Sequence, residues 1–403
     1  MQLYRRTLAL PGIRTLMILI FFARIPMSAA GMILTLHVAV GLSRGYGAAG
    51  LVGAAATIAI AAGAVVMGRI VDRYGLRPML VLTAVGESVF WLAARWMPYH
   101  LLLVAALVGG FLVLPAMSIG RQAIAALVPQ ELRRTAYSMD SVSTELSFMV
   151  GPAVAVFLAT QFSTATAMSA MAIGVAAVGL ALFVVNPAVR SEQERADFDG
   201  VRPARREWLT PRLIGVLVVG VGAVFVLAGT EVTIVAQLRA NGELEWTGLV
   251  VVVWSFASAI GGLVYGAANR SLNQVTLMAL LGMLTIPIGL VGVEWWVLAL
   301  ALVPAAGLCA PTIAATGEEV ARLAPAAVRG VATGLQSSAF TVGAAIGAPV
   351  VGFVVDHSAP GWGFATAGLG GVLVAAVSLL LARTTRSPEG TTRDQEARAS
   401  AIS

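Results

Sequence analysis

The stretch LVPQELRRTA at residues 127–136 returns as LAPAAVRGVA at residues 323–332, 196 residues further on. At this one offset Pro115 falls on Pro311, Leu127 on Leu323, Pro129 on Pro325, Arg133 on Arg329, Ala136 on Ala332 and Gly151 on Gly347. Chance explains matches of Ala, Leu and Gly in an apolar chain, but it explains poorly two proline pairs and an arginine pair in common register. The chain therefore reads as two related halves, and duplication of this kind builds a pseudo-symmetric bundle with its site between the halves.

Outward from the repeat the sequence is apolar. The 403 residues are 58% hydrophobic and 11% charged, with a mean hydropathy of +0.88, where a soluble domain carries about 25% charged residues. A span needs about 20 mainly apolar residues. Twelve candidates lie near 13–40, 48–70, 78–97, 100–127, 136–160, 165–185, 212–238, 247–268, 275–293, 296–321, 331–355 and 363–382. The expected fold is thus all-α and membrane-embedded, with two pseudo-symmetric six-helix bundles over 1–185 and 212–384, a linker over 186–211 and a tail over 385–403.

Charge fixes the orientation. With both termini cytoplasmic, the inner segments collect Arg5, Arg6, Arg73, Arg77, Arg133, Arg134, the cluster from Arg190 to Arg212, Arg270, Arg322, Arg329 and the tail from Arg383 to Arg398, leaving Arg44, Arg95 and Arg239 outside. This bias follows the positive-inside rule, and one missed helix would invert every later loop. The first apolar stretch is too long for a cleaved leader and carries Arg14 and Arg24, so it is expected to remain as a span. The mixed charges and prolines of the linker (NPAVRSEQERADFDGVRPARREWLTPR) read as a solvated strap with no binding role.

Several functions are excluded on composition. All 26 basic residues are Arg. A Walker loop and an imine-forming site both need Lys, so uphill movement would have to draw on an ion gradient or a separate subunit. The three His and the single Cys309 form neither a disulfide framework nor a metal-ligand pattern. Most of the basic residues lie in short segments between apolar runs, which argues against a nucleic-acid partner, and no cofactor is indicated. Exclusive use of Arg suggests a GC-rich bacterial genome and hence a bacterial plasma membrane.

The segment GRIVDRYGLRP at 68–78 resembles the signature loop between the second and third helices of the major facilitator superfamily, its main positions met by Gly68, Asp72, Arg73, Gly75 and Arg77. The second half keeps Arg270 in the corresponding loop but has Asn269 and Leu272 for the Asp and second Gly. Gly151-Pro152 in the fifth helix resembles the core of the drug:proton antiporter signature, with Ala155 and Val156 replacing its later glycines. The central fourth helix, GGFLVLPAM, lacks the Arg and Gln-Gly of many such antiporters. The resemblance implies alternating access, helices one, four, seven and ten around a central cavity, and a loop in which Asp72 gates by accepting from the amino end of the eleventh helix.

Ionisable groups inside a bilayer cost roughly 2.5–3.5 kcal/mol each on insertion scales and mark cavities or pathways. Arg24 lies ten residues beyond Arg14, roughly 15 Å deeper along a helix, and needs an acidic or carbonyl partner. Asp140, Thr144, Ser147 and Gly151 share one face of the fifth helix, with Glu145 adjacent. Helical rise puts Asp140 about 8 Å and Glu145 about 15 Å from the cytoplasmic end, with Arg121 at similar depth on the preceding helix. An Arg121–Asp140 pair is expected. That leaves Glu145 as the leading proton-coupling candidate, since burial disfavours a charged carboxyl, followed by Glu231, Glu87 and Asp140. The repeat maps Asp140 onto Gln336 and Glu145 onto Thr341, so the second half keeps the polar stripe without its charges. Arg24, Arg121, Thr144, Gln336 and Thr341 are the substrate-cavity candidates, and Pro26, Pro115, Gly151, Pro152 and Pro311 the kink candidates.

The expectation is a secondary transporter working as a monomer, a proton-coupled antiporter exporting a small hydrophobic or amphipathic molecule. The alternative is an uptake symporter or facilitator for a small organic anion anchored by Arg24. A membrane enzyme or receptor on the same scaffold has no paired acid/base, nucleophile or metal motif behind it.

Overall fold

The computed structural model describes residues 2–190, 203–268, 272–290 and 294–383. The centre of the linker, the loop holding Asn269 and Arg270 and the expected tail over 385–403 lie outside the described residues. In lipid no water meets the backbone's polar groups, so each apolar run must close its own hydrogen bonds as a helix. The described residues are helical throughout, without a strand.

Short helix Gln2–Ala9 precedes the first span, Ile13–Leu36, which ends in a π-turn over His37–Gly41. The next spans are Gly45–Tyr74, Leu76–Ala94, a broken fourth span of Tyr99–Phe111 and Ala116–Leu127, then Gln130–Gln161 and Thr164–Val185. The second half runs through Pro211–Ala240, Thr247–Ala267, Gln274–Thr285 with a tight turn over Ile286–Leu290, Trp295–Leu323, Arg329–His357 and Gly361–Arg383. Eleven of these elements are long and apolar enough to cross a membrane, and Gln274–Leu290 is the shorter twelfth. Side-chain caps set several starts: Ser163 accepts from Thr166 N and Asn273 from Thr276 N, and Thr210 accepts from Leu213 N ahead of Pro211.

The packing repeats as the sequence does. In the first half the first span packs on the fifth and sixth, the second on the fourth, and the third on the sixth; the seventh packs on the eleventh and twelfth, the eighth on the tenth, and the ninth on the twelfth. The halves meet through the second and eleventh spans and, as the symmetry mate of that contact, through the fifth and eighth. The outer surface suits acyl chains, with Ile58, Ile173, Val184 and Phe256 each 68% exposed.

The prolines act unequally. Pro26, Pro152, Pro311 and Pro349 sit inside continuous helices, as does Pro304. Pro115, expected to kink the fourth span, instead caps a new helix after a true break. The cause is local: the buried Glu87 carboxylate accepts from Leu114 N at 2.7 Å and stabilises the freed backbone. At the equivalent place in the second half stands Met283, which offers no such acceptor, and the tenth span runs unbroken past Pro311.

Candidate functional site

The even span count puts both ends of the described chain on one face, called here the linker face. There the two halves are fastened. The second span ends at Tyr74, and Asp72 near its end accepts from Gly330 N and Val331 N, each at 2.9 Å. These are amides of the first turn of the eleventh span, where the helix dipole favours an anion. Gly68 and Gly330 make the approach possible, since a Cβ on Gly68 would run into the Gly330 carbonyl. Gly75 turns the chain at φ 88° and ψ 179°, a region essentially reserved for glycine. Arg73 and Arg77 are exposed on this face, Arg73 over the Tyr74 ring and Arg77 over that of Phe183.

Arg190, read from sequence as part of a solvated strap, takes part in the same junction. Its Nη2 donates to the carbonyls of Asp72 at 3.0 Å and Ala327 at 3.3 Å, and lies 3.6 Å from Asp72 Oδ1. Beside it, Thr135 donates to Gly266 O and Arg134 to Ala268 O, tying the fifth span to the eighth.

Deeper in, the break after Leu112 rotates the second part of the fourth span so that Ser118, Arg121 and Gln122 are buried. Ser118 Oγ meets Thr333 Oγ1 of the eleventh span at 2.7 Å, a contact between the halves that sequence reasoning missed. Arg24, not Arg121, is the main partner of Asp140: its Nη2 lies 2.6 Å from Asp140 Oδ1 and its Nη1 3.2 Å from the Asp140 carbonyl. Arg121 approaches only to 3.9 Å through Nε. The expected Arg121–Asp140 pair is thus secondary. The reason is packing, because the first span, unlike the fourth, lies extensively along the fifth.

Arg121 consequently keeps free bonding capacity. Its guanidinium sits over the Phe340 ring at 4.7 Å, and its Nη1 is buried without a hydrogen-bond partner among the described residues. Also buried and unmatched are Ser141 Oγ, Gln336 Oε1, Ser337 Oγ and Thr230 Oγ1, the first and third being repeat mates. Gln336 uses its other end on Thr316 Oγ1 at 3.1 Å. Thr144 and Thr341 turn back to carbonyls of their own helices, Asp140 O at 2.8 Å and Ser337 O at 3.0 Å.

The carboxyls separate by environment. Glu87 is spent on the fourth-span break and on Trp91 at 3.5 Å. Glu145 is half-buried and accepts from Ser258 Oγ of the eighth span at 2.8 Å. Glu231 is exposed on the seventh span, and Cys309 is buried in the tenth. Glu145 and Glu231 thus come from different halves, and Glu145 meets the eighth span through Ser258. Ser258 left no signal in sequence beyond being a hydroxyl in an apolar span. Among the described residues no three His, Cys, Asp or Glu gather as a metal-ion cluster.

The family model described as Major Facilitator Superfamily matches residues 16–315 and 241–403. No curated protein sequence matches the chain. Among solved structures, the human organic anion transporter MFSD10 (TETRAN) is 17% identical, with a TM-score of 0.71 over 91% of this chain and 100% of its own. The proton:xylose symporter XylE bound to 6-bromo-6-deoxy-D-glucose is 15% identical, with a TM-score of 0.69 over 90% of this chain and 94% of its own. A bacterial homologue of the iron transporter ferroportin, in an outward-facing state, is 12% identical, with a TM-score of 0.73 over 92% and 99%. At these identities the likeness is one of fold.

Proposed function

This chain belongs to the major facilitator superfamily, a family of transporters and not of enzymes, and from that premise we propose that it is a proton-coupled antiporter exporting a small hydrophobic or amphipathic molecule. The observation that carries this reading is the pair Glu145 and Glu231. The ion pairs among the described residues leave both carboxyls without a basic partner. An unpaired carboxyl away from water bears its charge at a cost, so the side to which it is open governs whether it holds a proton. One carboxyl on each half gives a group whose access changes as the halves rock. The Arg bias puts the linker face and both termini in the cytoplasm of a bacterial plasma membrane, and a single chain is the working unit. In this reading Asp72, Gly68, Gly75, Arg73 and Arg77 form the cytoplasmic gate, closed here, and the bundles over 1–185 and 212–384 are the moving bodies.

A second reading, uptake or facilitated passage of a small organic anion, is favoured by Arg121 Nη1, which is buried without a hydrogen-bond partner among the described residues. Arg24, the anchor expected from sequence, is neutralised by Asp140, so the anchor becomes Arg121. The fold shared with the human organic anion transporter accords with this reading.

The deciding experiment follows ΔpH in inside-out vesicles while lipophilic compounds and organic acids are added. Proton release on substrate addition, lost in Glu145→Gln or Glu231→Gln, supports antiport. Release unchanged in both variants removes these carboxyls from coupling. Absence of release, with organic-acid transport abolished in Arg121→Gln, establishes the second reading.

A further inference from the structure

A groove of about 420 Å³ runs along the lipid-facing seam between the third and sixth spans, away from the central site. Leu80, Val81, Ala84, Ser88 and Leu92 line one wall, and Ala176, Gly179, Leu180 and Phe183 the other. Its floor is close because Gly179 lies against Ala84, where a side chain on the glycine would overlap. The one polar wall atom is already matched, Ser88 Oγ donating to Ala172 O at 3.0 Å, so the trough is apolar in effect. From Leu80 to Leu92 the helical rise amounts to about 18 Å, close to the roughly 15 Å depth of one leaflet's hydrocarbon.

The linker-face end of this trough carries a cation. Arg77 precedes Leu80 by three residues and Val81 by four, and thus stands on the same helical face. Its guanidinium stacks on Phe183, a wall residue, with Cζ 5.2 Å from the ring centroid, and its Nε donates to Phe183 O at 3.3 Å. The head of Arg77 is exposed and anchored at one edge, with its other nitrogens available at the depth of lipid headgroups. A second apolar groove of similar size lies between the eighth and tenth spans.

We propose that the seam between the third and sixth spans is a binding site for one anionic phospholipid of the linker-face leaflet, its acyl chain in the groove and its phosphate on Arg77. Basic residues between membrane helices recognise anionic headgroups in this way, and a planar guanidinium suits phosphate. Because Arg77 lies in the first turn of the third span, just after the Gly75 turn that follows Asp72, an occupied site braces the start of the third span next to the junction between the halves.

Native mass spectrometry of the purified full-length chain tests this, with phosphatidylglycerol and phosphatidylcholine of identical acyl chains titrated separately. The expected result is one retained phosphatidylglycerol, bound at least about tenfold more tightly than phosphatidylcholine. Arg77→Gln is expected to bring the two lipids to equal affinity, and Arg5→Gln, on the exposed N-terminal helix, to leave the preference intact. Val85 also lines the groove and is 59% exposed, so Val85→Trp fills the groove from its rim and is expected to remove the retained lipid while Arg77 stays in place. Equal affinity of the two lipids in the wild type, or a preference that survives both Arg77→Gln and Val85→Trp, overturns the proposal.

Discussion

Asp72 accepts from Gly330 N at 2.9 Å, with its second oxygen on Val331 N, so a carboxylate of one half closes the open amino end of a helix in the other. Bonds of this kind to a charged group contribute about 1.5–3 kcal/mol. Asp72→Asn keeps the shape and removes the charge. In a Cys309→Ala background, Thr333→Cys reports opening of the linker face, because Thr333 is buried against Ser118 across the junction. Its alkylation is expected to rise about ten- to a hundredfold in Asp72→Asn, at about 1.4 kcal/mol per factor of ten. An unchanged labelling rate would take Asp72 out of the closure.

Gly68 and Gly75 serve the same loop for different reasons. An added Cβ at Gly68 strikes the Gly330 carbonyl, whereas Gly75 has nothing within 4 Å but holds φ at 88°. Gly68→Ala should therefore push the halves apart and speed Thr333→Cys labelling with little change in thermal stability. Gly75→Ala should strain the turn in every state, costing about 1–3 kcal/mol, and lower the melting temperature without favouring opening. The reverse pattern would show that the close approach is not what Gly68 provides.

Arg24 and Asp140 form a fully enclosed pair, with 0% and 2% of their side chains exposed. Removing one member leaves an uncompensated charge, so Asp140→Leu or Arg24→Met alone is expected to destabilise the protein by about 3–5 kcal/mol, and the double substitution to recover most of that loss. A thermal-denaturation double-mutant cycle measures it. Additive losses would mean that the two charges are stabilised by other groups.

Glu87 satisfies a backbone amide at the fourth-span break. Glu87→Gln keeps an acceptor and is expected to leave stability and proton-coupled transport nearly unchanged, whereas Glu87→Leu orphans Leu114 N and costs about 1–3 kcal/mol. Loss of proton movement in Glu87→Gln at wild-type stability would return this carboxyl to the coupling path.

The division between sequence and structure follows from what each kind of periodicity can encode. Apolar run length and the shared register of Pro129 with Pro325 and Arg133 with Arg329 point to twelve spans in two halves without reference to any contact. The partner of Asp72 came from the resemblance of residues 68–78 to the superfamily's loop, which implies an acceptor at the amino end of the eleventh helix, and Asp72 meets Gly330 N and Val331 N there. A 3.6-residue period assigns Asp140 to a face but does not say which neighbour meets that face. Only the tertiary packing decided that Arg24 takes Asp140, leaving Arg121 Nη1 without a hydrogen-bond partner among the described residues, and that Ser258 meets Glu145. The broken fourth span is of the same kind: Pro115 and Pro311 are equivalent in sequence, and what separates them is an acceptor on a neighbouring helix, present as Glu87 and absent at Met283.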